Sequence, residues 1–127
     1  MDYDFDYALK TTKTVFQTEF WQPEGRVGRK KFWHYVSIIF GLSIIVSILS
    51  TVFGFIPVIG SIVSSTLSLA MLVTLPPSIG LSIRRMHDIG KPWFFALIPL
   101  YNLYLAAQAG EPAANAYGEP PISTDFA

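Results

Sequence analysis

No cysteine occurs anywhere in the chain, so disulfides, thiolate metal sites and thiol nucleophiles are excluded together. Charge is scarce as well. Asp, Glu, Lys and Arg make up 14% of the 127 residues, against about a quarter in an ordinary soluble domain. The nine acidic and nine basic residues cancel, so no global field points toward nucleic acid or an acidic substrate. Between Phe32 and Ile83 there is no charged side chain at all, and after Lys91 there is no basic one. Internal repeats are missing too, which argues against an inverted-repeat transporter built within this chain. A cleavable leader is not expected. The first apolar stretch begins only at Phe32, is too long for a leader and lacks a small-residue cleavage site after it.

What is present is apolar: 51% of the residues are hydrophobic and the mean hydropathy is +0.42. One helix from Phe32 to Ile83 would be roughly 80 Å long, more than twice the ~30 Å hydrocarbon core of a bilayer. The stretch must therefore fold back, and Gly54-Phe55-Ile56-Pro57-Val58-Ile59-Gly60 is the natural turn. That gives spans near residues 32–55 and 58–83. A soluble all-helical core is the plain alternative, but such helices carry a polar stripe and rarely stay apolar past ~14 residues. A third uncharged stretch, Pro92 to Gly110, contains Pro99, Asn102 and Gln108. As a helix it would be about 28 Å long, and a crossing at 92–109 is expected. A re-entrant or interfacial segment returning to its side of origin is the alternative. The expected fold is an all-α membrane protein, a three-helix transmembrane bundle preceded by an interfacial amphipathic helix. Residues 1–24 form the amphipathic segment, 25–110 the membrane domain and 111–127 an irregular tail.

The basic residues set the orientation. Lys10, Lys13, Arg26, Arg29, Lys30, Lys31, Arg84, Arg85 and Lys91 all precede the third stretch, and the tail carries only Glu111, Glu119 and Asp125. The positive-inside bias puts the N-terminus and the Arg84–Lys91 loop in the cytoplasm of a bacterial cell, with the C-terminus on the outer side if the third stretch crosses. Trp33, Tyr35, Trp93, Phe94 and Phe95 fall where an aromatic belt belongs. Upstream, Phe5, Ala8, Leu9, Thr12, Val15, Phe16 and Phe20 follow helical spacing, with Lys10, Lys13, Thr14 and Gln17 opposite and Asp4 and Asp6 suited to the N-terminus. The pattern fits a helix lying in the membrane interface, or one packed on a partner or on the cytoplasmic loop.

Helices in lipid associate through close packing and polar contacts. Ser43, Ser47, Ser50 and Gly54 share one face of the first span, and Ser61, Ser64, Ser65 and Ser68 share one face of the second, as expected for a tight hairpin. A hydroxyl-lined pore is the sharper alternative. Pro76-Pro77 should bend the second span, as a fixed kink or a hinge. Asn102 is expected to bond a neighbouring helix.

Two basic clusters converge on the inner surface: Gly25-Arg26-Val27-Gly28-Arg29-Lys30-Lys31-Phe32-Trp33 and Arg84-Arg85-Met86-His87-Asp88-Ile89-Gly90-Lys91. Arg26, Arg29, Lys30, Arg84, Arg85 and Lys91 are candidates for anionic headgroup or partner contact, or fix topology alone. His87-Asp88 invites an acid–base reading. However, adjacent helical residues point ~100° apart, and no second His or carboxylate stands at ligand spacing. Asp88 is expected instead to pair with Arg84, Arg85 or an arginine of the first cluster. No metal site and no cofactor are expected.

At these motifs a resemblance appears. Gly25-Arg26-x-x-Arg29-x-x-Phe32-Trp33, then Arg84-Arg85-Met86-His87-Asp88-Ile89-Gly90-Lys91, then Asn115-x-Tyr117-Gly118-x-Pro120 occur in that order. Together they resemble the small bacterial inner-membrane proteins grouped as domain of unknown function 805, the YhaH/YhaI-like group, over roughly Gly25 to Pro121. The chain departs from that pattern at Pro23-Glu24, Lys31, Pro92-Trp93-Phe94-Phe95 and Ala116, and its third stretch is shorter. The resemblance implies structural roles for Gly25, Phe32, Trp33, His87, Asp88, Gly90, Asn115, Tyr117 and Gly118, and supplies no reaction. The expected function is a non-catalytic accessory or scaffold protein contacting the bilayer, anionic lipid headgroups and other membrane proteins or its own copies. A small-solute or ion conduit is the runner-up, and an interfacial enzyme acting on headgroups the third.

Overall fold

The computed structural model describes residues 3–121, so the expected acid Asp125 lies outside the described residues. Helix α1 (Phe5–Thr18) is capped by the Asp4 carboxylate, which accepts from the Tyr7 N–H, satisfying one of the donors a helix start leaves open. Helix α2 (Arg29–Phe53) is a single uninterrupted element, about 37 Å long. The chain then reverses and returns as α3 (Ile59–Met71), a short 3-10 turn (Leu72–Thr74) and α4 (Leu75–Asp88). After a 3-10 segment (Trp93–Leu97) comes the short α5 (Tyr101–Ala106).

Two elements are long and apolar enough to cross a membrane: α2, and the run Ile59–Asp88. The most apolar 18-residue stretch of α2 has a mean hydropathy of 2.4 with none of it buried, and that of the second run 1.6 with 11% buried. This removes the soluble-core alternative. A soluble helix so apolar would be covered, whereas Phe40, Ile45, Ile48, Val52, Ile59, Ile62 and Leu69 all lie open. Lipid is the solvent that suits such a surface, and the chain is a small membrane protein.

The hairpin closes where glycine permits it. Ser64 Oγ donates to the Ser50 carbonyl across the two helices at 2.8 Å. A Cβ on Gly60 would stand 1.8 Å from the Phe53 carbonyl oxygen, so no larger residue fits there without moving backbone. Ser43, Ser50, Ser64 and Gly60 are at least partly covered, while Ser47, Gly54, Ser61, Ser65 and Ser68 stay exposed. The expected serine faces are thus only partly spent on the hairpin. Pro76 and Pro77 fill the first turn of α4. Neither has an N–H to offer the carbonyls one turn earlier, and the preceding 3-10 turn is the local answer to that loss.

Residues 92–109, expected as a third crossing, do not form one continuous helix. Residues 92–109 form two short helical limbs around Pro99-Leu100, tied by Asn102 Nδ2 to the Ala96 carbonyl at 2.8 Å. The ends of this loop meet: the Lys91 N–H donates to the Met86 carbonyl and the Glu111 N–H to the Asp88 carbonyl. Each limb is about 9–10 Å long, about a third of the ~30 Å core. Pro99 and the following Leu100, at φ 64°, stop the helix before it can cross. Residues 111–118 lie at the same end of the protein as Arg26 and Asp88, beside the N-terminus of α2.

Candidate functional site

The core of the protein sits at that end, around Val15, Val27, Phe32, Tyr35, Leu81, Met86, Leu105 and Ala106. It encloses charge. Arg85 is 0% exposed, Arg84 3% and Asp88 3%. Burying ions costs several kcal/mol each unless every donor is met, and the chain meets most of them. Asp88 accepts from Arg26 Nε at 2.9 Å on one oxygen and from Arg85 Nη1 at 2.6 Å on the other. Arg85 also donates to the carbonyls of Ala106, Val27 and Gln108. Arg26 spends its remaining N–H groups on the carbonyls of Asp88, Glu111, Ala113 and Gly118. A single carboxylate and its two arginines thus join the α2 entry, the α4 exit and, through backbone oxygens, the end of the 92–109 segment and the tail.

A second ion cluster lies beside it. Glu19, just past the end of α1, accepts from Lys31 Nζ at 2.8 Å and from Arg84 Nη1 at 2.6 Å. Burial alone would raise the Glu19 carboxyl, but the bonds and charges of Lys31 and Arg84 outweigh it and hold the group below the usual range. Arg84 Nε and Nη2 are buried without a protein acceptor.

His87 is spoken for on several sides. Its Nδ1 bonds the Gly25 carbonyl at 3.1 Å, its ring stacks on Tyr117 at 4.0 Å and 1°, and its carbonyl accepts from Asn115 Nδ2. Asn115 Oδ1 takes the Tyr117 N–H, and Asn115 pairs with Gly118, whose φ of 123° suits glycine. Gly25 and Gly90 likewise hold positive φ. The motif residues Gly25, His87, Asp88, Gly90, Asn115, Tyr117 and Gly118 therefore meet in space. Phe32 joins the core, and Trp33 Nε1 donates to the Ala106 carbonyl at 3.3 Å. The other histidine, His34, is 1% exposed beneath α1. Its Nε2 accepts the Asp4 N–H and its Nδ1 bonds the Lys30 carbonyl. Among the described residues no group of three or more His, Asp or Glu could hold a metal ion.

Of the basic candidates, Arg26, Arg84 and Arg85 are turned into the fold. Their side chains are 1%, 4% and 0% exposed, because each faces a carboxylate or carbonyls within the fold. Arg29 is partly covered and donates to the Ala107 carbonyl. Lys30 lies over the Tyr7 ring at 4.4 Å and Lys91 over Phe95 at 5.6 Å, both partly exposed. For α1, Ala8, Thr11 and Val15 face inward, while Phe5 (58%) and Leu9 (44%) form an open apolar edge. The helix is both packed on α2 and apolar on a flank, which fits an interfacial position.

Sequence reasoning missed Glu19 and Gly110. A Cβ at Gly110 would stand 2.0 Å from Asp88 Oδ2, a requirement no local pattern announces. Glu19 carried a faint signal, as a lone acid ending an amphipathic run just before a basic cluster. No curated protein and no solved structure matches the chain. A family model, Protein of unknown function (DUF805), matches residues 20–119. That interval takes in every group of the charge cluster except Glu19, and the chain belongs to this family.

Proposed function

We propose that the protein is a non-catalytic scaffold of the bacterial inner membrane, with both the N-terminal segment and residues 111–118 on the cytoplasmic side. It contacts anionic lipid there and engages other membrane proteins or its own copies through the hairpin. The observation that carries this reading is an inverted distribution of side chains. The ionised groups are spent inside on holding the chain together, and the apolar ones face outward along two helices. His87, the residue best suited to acid–base work, is engaged by Gly25 and Tyr117, which supports a structural role.

The test is a mild-detergent pull-down of the intact protein beside a variant with the outward cations Lys30 and Lys91 changed to Gln. Enrichment of anionic lipid or a membrane partner, weakened in the variant, is the expected result. Recovery of the protein alone in both cases would count against the scaffold. One observation favours a second reading. Ser47, Ser61, Ser65 and Ser68 remain exposed on apolar helices, and such hydroxyls line contacts between copies, or a conduit. Ion flux in liposomes that vanishes with Ser65→Leu would favour the conduit.

A further inference from the structure

Beside the Ser78–Ser82 edge of α4 lies a groove of about 420 Å³, walled by Ile83 and by Leu97 of the first limb of the 92–109 segment, with Trp21 and Trp93 at its sides. We propose that this groove seats an acyl chain of an anionic phospholipid, whose phosphate pairs with the Lys91 ammonium. The proposal rests on the reading of the protein as a contact for anionic lipid, and assigns that contact to one place.

The walls make no polar demand. Ser82 Oγ donates to the Ser78 carbonyl at 2.8 Å and Ser78 Oγ bonds the Tyr35 hydroxyl at 2.8 Å. The hydroxyls in the groove are thus already used, and apart from the indole N–H groups of Trp21 and Trp93 what remains is hydrocarbon. A polar ligand would lose its water there for nothing, whereas an alkyl chain loses nothing. The volume falls within the ~300–1,000 Å³ of ordinary ligand sites. A second groove of about 280 Å³, lined by Val36, Ile39 and Phe40, lies against the same Ser78 and Ser82. Two small residues in succession leave a low ridge between the grooves, over which the two chains of one diacyl lipid can part.

Lys91, two residues before the groove residue Trp93, supplies the charge complementarity. Lys91 follows the end of α4 and precedes Trp93, and its ammonium lies 5.6 Å from the Phe95 ring centroid. Among the described residues no carboxylate pairs with it within salt-bridge distance, while Arg26, Lys31, Arg84 and Arg85 all have one. Trp21 and Trp93 are 58% and 54% exposed, the placement of amphipathic rings at headgroup depth. An anionic headgroup above an apolar slot is the chemistry these neighbours jointly recognise.

The test uses the full chain carrying Trp33→Phe, so that Trp21 and Trp93 are its only indoles, in vesicles of phosphatidylcholine and phosphatidylglycerol with either lipid brominated, and reads the quenching of their fluorescence. Brominated phosphatidylglycerol should quench about fivefold more effectively per molecule than brominated phosphatidylcholine, the equivalent of ~1 kcal/mol for one basic residue near the surface. Lys91→Gln should abolish the preference and Lys91→Arg should keep it. Ala96→Phe, which fills the groove, should reduce quenching by both lipids, with circular dichroism unchanged. A preference that survives Lys91→Gln and Ala96→Phe would overturn the groove while leaving anionic contact elsewhere intact. Equal quenching by the two lipids with no further substitution would overturn both.

Discussion

At the scale of single residues, the protein depends on two carboxylates that several elements share. The Asp88 side chain is 4% exposed and is held between Arg26 and Arg85. Asp88→Asn leaves both guanidinium groups facing a neutral amide, and a broken buried pair costs about 3–5 kcal/mol. A loss of that order in the midpoint of denaturant unfolding in detergent is expected. Asp88→Leu should be no better, since the arginines would remain. Glu19 gives a pH dependence. Its carboxyl titrates lower in the folded protein than in the unfolded chain, so its stabilisation is present above the ordinary Glu range of ~4.5 and is lost as pH falls through the lowered folded value. Thermal midpoints measured from neutral pH downward should show this acid-side decline, and Glu19→Gln should flatten it. A decline of unchanged size in Glu19→Gln would assign the acid sensitivity to other groups.

At the scale of elements, the two reversals share one construction. Pro57-Val58-Ile59 and Pro99-Leu100-Tyr101 each place a non-glycine residue at φ 64°, and each closes with a 2.7 Å bond from the following N–H to the proline carbonyl. These are positive-φ γ-turns, a strained form. Strain in sparsely populated backbone costs about 1–3 kcal/mol, so Val58→Gly should raise stability by ~1 kcal/mol after the flexibility it adds to the unfolded chain. Differential scanning fluorimetry checks this, and a lower midpoint would show that the turn is not strained. In the opposite sense, Gly110→Ala drives a methyl into Asp88 and should cost about 1–3 kcal/mol.

The hairpin was legible in the sequence, because an uncharged run too long for one crossing has to fold back. The Asp88–arginine pairing was legible as well, since adjacency on a helix ruled out a direct His87–Asp88 couple. The fate of residues 92–109 was not. Length and hydropathy alone do not separate a thin crossing from two short limbs. The deciding contacts are Asn102 to Ala96 and Glu111 to Asp88, both side-chain or backbone pairings without periodicity. The carbonyl contacts of Arg26 and Arg85 were hidden for the same reason, because every residue possesses a carbonyl.

At the scale of the whole molecule, two candidate spans with residues 111–118 beside the start of α2 predict that both ends of the described chain share one side of the membrane. Single cysteines can be introduced into a chain that has none, and Lys10, Phe55 and Ala114 are all exposed. With a membrane-impermeant thiol reagent on oriented vesicles, Lys10→Cys and Ala114→Cys should label from one side and Phe55→Cys from the other. Labelling of Ala114→Cys together with Phe55→Cys would restore a third crossing. Burial follows the same division. The compact, charge-bearing part lies at one end, and the hairpin beyond it is covered on few sides by its own chain.

The carbonyl oxygens that quiet Arg26 and Arg85 come largely from residues 106–118, the last stretch of the described chain to leave the ribosome. Until that stretch is made, Asp88 is at hand for both guanidinium groups, but most of their carbonyl acceptors are not. Completion of the polypeptide supplies those acceptors and closes the arginines into the interior. A nascent chain halted before Ala106 should remain open to protease at its arginines where the finished one resists.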